Sequence, residues 1–433
     1  MDRYRRNIPL FIAFRVFFNA RFYYPVLGVL FIDLGLTLEQ YVILNTVWAV
    51  TIILLEIPSG AMADWIGRRT MVVVAGCLMI LEMAILAFAP AGPLLFWFLV
   101  FNRILSGAAE ASASGADEAL AYDSLPPGDR TTEWQRVLSR LVRWSSGAFF
   151  VAMVVGGAVF DAGLVTRVAT AFGFAGEWSP ADTVRWPIYL TLATAVMATG
   201  CALAMRDVPR ESGKAARRAR AVLDNIVGAA TFVFSRRAVV LLLLAGVLFD
   251  STIRLFLTLA SNYYRLIQLP PAANGLLGSV FALLGIAAAG MAPALARRLP
   301  PMGVAFVLGL TLTVALFGIS LATPIWGAWA VVPLGLVMPM VGYFLSNYLN
   351  AWTGSELRAT VLSFRGVALN IGYGLAGIGF AAITSSLRAQ APELDENALL
   401  ARTLYVLPAA FLAGAVVLVL FSATPLSGGG RRQ

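Results

Sequence analysis

Gly60-Ala61-Met62-Ala63-Asp64-Trp65-Ile66-Gly67-Arg68-Arg69 is a short charged turn set between two long apolar runs, Tyr41 to Met62 and Thr70 to Ala89. Each run has about the 20 residues that a helix needs to cross a hydrocarbon layer roughly 30 Å thick. The turn holds two glycines that permit tight backbone geometry. Its carboxylate, Asp64, stands at the end of a helix and calls for a cationic or helix N-terminal partner. A turn of this kind between two such runs describes a hairpin of membrane-crossing helices, and the rest of the chain repeats the pattern.

Moving outward, the expected spans are Ile8 to Phe31, the two just named, Pro93 to Ala113, Val142 to Phe160 and Pro187 to Met205. A second set runs Ala238 to Leu259, Gly275 to Ala296, Val304 to Ala322, Trp326 to Tyr348, Ala359 to Ile383 and Thr403 to Phe421. The apolar stretches are continuous and do not alternate, so helices are expected and barrel strands are not. Composition agrees: the 433 residues are 59% hydrophobic and 13% charged, with a mean hydropathy of +0.80, whereas soluble domains are about a quarter charged. The basic N-terminal residues followed by an apolar run read as a first span and not as a cleaved leader. The expected organisation is a bundle over 1–205, a basic linker over 206–237, a second bundle over 238–425 and a tail over 426–433.

The net charge of +9 does not point to nucleic acid, because the basic residues sort by side. Arg3, Arg5, Arg6, Arg68, Arg69, Arg130, Arg136, Arg140, the linker, Arg297, Arg298, Arg358, Arg431 and Arg432 fall on one face, against Arg167, Arg185, Arg265, Arg388 and Arg402 on the other. The positive-inside rule makes the first face, with both termini, cytoplasmic. Cys77 and Cys201 lie in apolar runs, histidine is absent, and no metal-ligand spacing or cofactor motif occurs. Proton chemistry must therefore fall to carboxylates. An enzyme or an ATP-driven pump is not expected, for want of a catalytic constellation or nucleotide loop.

The stretch from Gly60 to Arg69 resembles motif A of the major facilitator superfamily, with Gly60, Asp64, Gly67, Arg68 and Arg69 at its defining positions. The resemblance implies an all-α membrane fold of twelve helices in two pseudo-symmetric six-helix bundles. A weak internal repeat fits this: Gly290-Met291-Ala292-Pro293-Ala294 with Arg298 echoes Gly60 to Asp64 with Arg68, without the aspartate. In the family this turn latches the halves in the outward-open state through helix 11, opened here by Arg358, and through an acid at the cytoplasmic end of helix 4, for which Asp117, Glu118 and Asp123 are candidates. Arg103-Ile104-Leu105-Ser106-Gly107-Ala108-Ala109-Glu110 is similar to motif B, whose arginine is linked to proton coupling in the family. The fifth span reads Ser146-Gly147-Ala148-Phe149 and Val155-Gly156-Gly157-Ala158, without the Gly-Pro pair of the antiporters.

The spans contain Arg15, Arg21, Arg103, Arg143, Arg254 and Arg365 against Glu56, Glu82, Glu110 and Asp250. Charges in hydrocarbon pair, line a cavity or mark a pathway. Glu56, Glu82, Glu110 and Asp250 with Arg103 are the expected coupling residues. Arg15, Asn19, Arg21, Arg254, Arg365 and Asn370 are the expected cavity residues, and Arg21, with no local acid, awaits an anion or an acid on another helix. The expected function is alternating-access secondary transport, as proton-coupled export of a small organic molecule. Uptake or exchange of an organic anion is the alternative, favoured by six arginines against four acids, and a membrane enzyme or receptor is more remote. The expected setting is a monomer among lipids of a bacterial inner membrane.

Overall fold

The computed structural model describes residues 2–126, 130–208, 231–353 and 358–423. Most of the linker and the tail thus lie outside the described residues. Twelve crossings are present among them. They are α1 (Asn7–Asn19 and, after a break, Leu27–Asp33), α2 (Leu38–Ile66), α3 (Arg68–Phe88), α4 (Leu95–Ala113), α5 (Arg130–Phe160) and α6 (Trp186–Ala204), then α7 (Arg237–Leu266), α8 (Pro271–Arg298), α9 (Pro301–Ser320), α10 (Gly327–Trp352), α11 (Arg358–Gln390) and α12 (Val406–Ala423). Eleven qualify as membrane spans by length and hydropathy alone; α4, which carries Asn102, Arg103 and Glu110, is the twelfth.

The helix starts follow local chemistry. Thr37 caps α2 reciprocally with Gln40: Gln40 N donates to Thr37 Oγ1 at 3.3 Å and Thr37 N to Gln40 Oε1 at 3.0 Å. Asp395 caps the short helix Glu396–Thr403 ahead of α12 by accepting from Ala398 N. The turn after α2 needs Gly67, whose φ of +103° is unfavourable for any side chain. Gly60 differs from expectation: α2 runs on through Pro58 to Ile66, and nothing lies within 4 Å of a Cβ added at Gly60.

The first crossing is broken where one continuous helix was expected. Pro25 has no N–H to give to the carbonyl four residues back, that of Arg21, and a 3-10 turn, Tyr24–Val26, joins the two pieces. A neighbouring helix, α6, takes up the freed backbone groups. Phe22 N donates to Thr191 Oγ1 at 3.0 Å, and Thr194 Oγ1 donates to Ala20 O at 3.2 Å. Gly156 of α5 faces the break so closely that an added Cβ would overlap the Phe22 carbonyl oxygen.

The halves meet through α2 against α11 and α5 against α8. Their polar joints gather toward the face opposite the basic one. Arg265 donates to both Asp33 oxygens at 2.6 and 2.5 Å. Arg388 donates to Glu39 at 2.7 and 3.0 Å and to Glu396 at 2.7 and 2.8 Å. Ser261 Oγ accepts from Gly28 N, Tyr41 OH donates to Thr258 O, and Asp161 accepts from Ala272 N. Exposed Trp97, Trp326 and Trp329 at this end, with Trp65 and Trp144 at the other, are placed as interfacial anchors.

Candidate functional site

The break in α1 delivers Arg21 into the first bundle as a buried cation, 2% exposed. Its Nη1 donates to Glu82 Oε1 and Oε2 of α3 at 3.0 and 3.1 Å, and to Tyr23 OH at 3.2 Å. Its Nη2 donates to Glu110 Oε1 of α4 at 3.4 Å. Arg103, two helical turns before Glu110 on the same face, brings Nη2 to 3.6 Å from Glu82 Oε1 and donates from Nε to Asn102 Oδ1 at 2.9 Å. Asn102 in turn donates to Glu82 O at 2.6 Å. Two arginines and two glutamates thus share one charge-balanced network built from α1, α3 and α4. Glu82 is fully enclosed, whereas the Glu110 side chain is 29% open.

A second cluster sits in the other bundle. Arg254 Nη2 meets Asp250 Oδ2 one turn back at 2.6 Å, Nη1 donates to Asn370 Oδ1 of α11 at 2.7 Å, and the guanidinium carbon lies 5.0 Å from the Tyr373 ring centre. Tyr373 OH is 2.8 Å from Thr258 Oγ1. Arg365, further toward the basic end of α11, lies within electrostatic reach of Asp250. Its Nε is buried without a partner.

Several expected site residues are placed otherwise. Arg15 pairs with Asp117 beyond the end of α4, Nη2 donating at 3.0 Å, and reaches Glu118 at 3.9 Å; it does not line the cavity described below. Asp117 and Glu118 are thus engaged by α1; Gly115, with φ +74°, leads into the short helix Ala116–Asp123, and Asp123 at its end meets Arg68. Arg68 also donates to Ala119 O, and Arg69 donates to Met205 O and Leu203 O, a cation at the C-terminus of α6. Glu56 is exposed at the end of its span and not buried, because the helix face packed on α4 is that of Ser59, which donates to Ala111 O. Asn19 is half-buried at the edge of the break. The side chains of Asp64 and Arg358 lie outside the described residues.

Sequence reasoning missed a cavity of about 370 Å³ between the break in α1 and helices α5, α7 and α8. Tyr24, Phe149, Met153, Tyr264 and Phe281 line it, with Thr258, Ser261 and Asn274 as its polar edge. Proline in the first span and glycines in the fifth were the available signals. Burial pushes the Asp117 carboxyl, outside the spans, up to about 6, with the Arg15 guanidinium pulling the other way. Among the described residues no group of acids and cysteines is arranged to hold a metal ion.

The model of the Major Facilitator Superfamily matches residues 10–377. No curated protein matches the chain. Among solved structures, the nucleoside transporter NupG superposes with a TM-score of 0.70 at 11% identity, covering 98% of this chain and 100% of that one. A bacterial homologue of the human lysosomal transporter Spinster, inward-facing and unoccupied, gives 0.67 at 15% identity over 98% of this chain and 96% of its own. A D-xylose–proton symporter gives 0.66 at 13% over 97% and 98%. At such identities the likeness is one of fold. With a family model spanning most of its length and both bundles in place, the chain belongs to the major facilitator superfamily and is a secondary transporter.

Proposed function

We propose that this transporter couples the export of a small organic molecule to proton entry, and that the Arg21–Glu82–Arg103–Glu110 network is the coupling element. The observation that carries the reading is the asymmetry within that network. Glu82 is sealed between two arginines, while Glu110 shares Arg21 from a position that solvent reaches. A carboxylate whose arginine partner is exchanged as the bundles rock changes its proton affinity, because loss of the cation in a poorly solvated site favours the neutral acid. Asp250, paired with Arg254, is the corresponding group in the second bundle.

Export is supported by the polar joints on the face opposite the basic one, which leave loading to the basic side. By the positive-inside rule that side is the cytoplasm of a bacterial inner membrane. The turn at Gly60 to Arg69 acts in this scheme as the latch of the alternate state, with the Arg68–Asp123 pair as its fixed base. The alternative, uptake or exchange of an organic anion, draws on Arg254 and Arg365 facing a single acid, Asp250.

Reconstituted vesicles test the coupling, using a compound first selected by thermal shift. Glu110→Gln is expected to keep counterflow of labelled compound while losing accumulation driven by a pH gradient. Gradient-driven accumulation at the native level in that variant removes the assignment. The direction of accumulation under an imposed gradient separates export from uptake.

A further inference from the structure

We infer that the cargo is an amphipathic organic anion, its charged group taken up by Arg365 beside Arg254 and its apolar body held in the cavity under Tyr24, Phe149, Phe281 and Tyr264. The inference rests on the proposed transport role and names the class of molecule carried.

The argument begins with charge. In the first bundle, Arg21 and Arg103 are matched by Glu82 and Glu110. In the second, Arg254 and Arg365 face Asp250, and Asp250 is already committed to Arg254 at 2.6 Å. Among the described residues Arg365 has no hydrogen-bonded or ion-pair partner, and its Nε is enclosed without an acceptor. A guanidinium does not shed its proton in proteins, and Arg365 is half-buried, its Nε enclosed while its terminal nitrogens stay open to solvent and to an incoming group. The second cluster therefore holds two guanidinium groups against one carboxylate, a net positive charge that an anionic group offsets more fully than water does. A cationic cargo would add to the excess, and a neutral one would leave it standing.

Geometry links this charge to the cavity. Arg254 lies one helical turn, about 6 Å, below Thr258 on α7, and Thr258 both lines the cavity and meets the hydroxyl of Tyr373, over whose ring Arg254 is stacked. Arg254 thus stands just beneath the polar edge of the chamber, and Arg365 lies within electrostatic reach of the same Asp250. No charged side chain lines the chamber itself, whose walls are aromatic and aliphatic. Its volume of about 370 Å³ falls in the range of small-molecule sites. Asn274, 4% exposed, has a carboxamide oxygen without a partner, and Ser261 Oγ, which accepts from Gly28 N and Val29 N, keeps its own hydrogen to donate. The body that fits is uncharged and largely apolar, with polar atoms along one edge. A carboxylate is the anionic group best matched to the planar guanidinium fork.

A charge series on one ring system tests this without a transport assay: 2-naphthoate, neutral 2-naphthamide and cationic 2-naphthylmethylamine, read by thermal shift on detergent-purified protein. The carboxylate alone is expected to stabilise the native protein. Arg365→Gln is expected to weaken its apparent Kd by about tenfold or more, the scale of one lost charge-assisted contact, and Arg365→Lys to retain part of the affinity. Because the glutamine variant removes an unmatched charge, its ligand-free melting temperature should equal or exceed the native one. Absence of protection by the carboxylate, equal protection by amide or amine, or an unchanged Kd in Arg365→Gln overturns the inference. So does a ligand-free Arg365→Gln protein that melts clearly lower, since Arg365 would then be a structural residue. An added anionic phospholipid, phosphatidylglycerol, should stabilise native and Arg365→Gln proteins alike; protection by that lipid that depends on Arg365 overturns a soluble cargo. Binding in detergent needs no pH gradient, so failure here is separable from failure of the Glu110 coupling experiment.

Discussion

Asp117 is enclosed at the end of α4 with Arg15 as its cation. Its carboxyl, at about 6, binds a proton more readily in the folded protein than in the unfolded chain, where the ordinary value is 3.8. The sign follows: the stabilisation tied to this site is complete below about pH 4, falls as pH rises, and is gone above about 6 to 7, a span on the order of 2–3 kcal/mol. Melting curves in detergent between pH 4 and pH 8 should therefore decline through that window for the native protein and decline less for Asp117→Asn. Superimposable profiles would show that Asp117 does not titrate there. Arg21 is the converse case, a cation whose acids were out of reach of local reading. Glu82 and Glu110 stand 61 and 89 residues further along the chain and meet it only because α1 breaks.

That break is also the clearest lesson at the scale of the element. Twelve crossings were legible because runs of about 20 apolar residues have few alternatives to a membrane helix, and observed and expected spans differ mainly at their ends. Pro25 lay in plain view inside the first run, yet whether a proline kinks, ends or unwinds a helix depends on what receives the freed backbone groups. Here Thr191 and Thr194 of α6 receive them, from 169 and 174 residues away. Thr191→Val leaves Phe22 N without its acceptor and should lower thermal stability by about 1–3 kcal/mol. If the break also sets the position of Arg21, the same variant should shift the pH dependence of transport; native melting and pH profiles together would separate the threonine from the break. For the same reason the charged residues of the site could be named from sequence but not paired. Arg15 and Arg21 are six residues apart on one span and end at opposite tasks, one at the basic end with Asp117, the other at the buried network.

Across the whole molecule, the two bundles are held by polar joints gathered at one end, Asp33–Arg265 and Glu39–Arg388–Glu396 among them. Alternating access requires these to part when the opposite opening forms. A disulfide formed between Asp33→Cys and Arg265→Cys, in a background lacking Cys77 and Cys201, should arrest transport and release it on reduction; undiminished transport by the cross-linked protein would show that this end never opens. The same pairs reach solvent, with Arg265 and Asp33 side chains about a third open, and mobile ions screen such attractions over about 8 Å at physiological strength. Salt on that side of the membrane therefore loosens the closure between the bundles, while the Arg21–Glu82 pair, enclosed deeper in the first bundle, is screened far less.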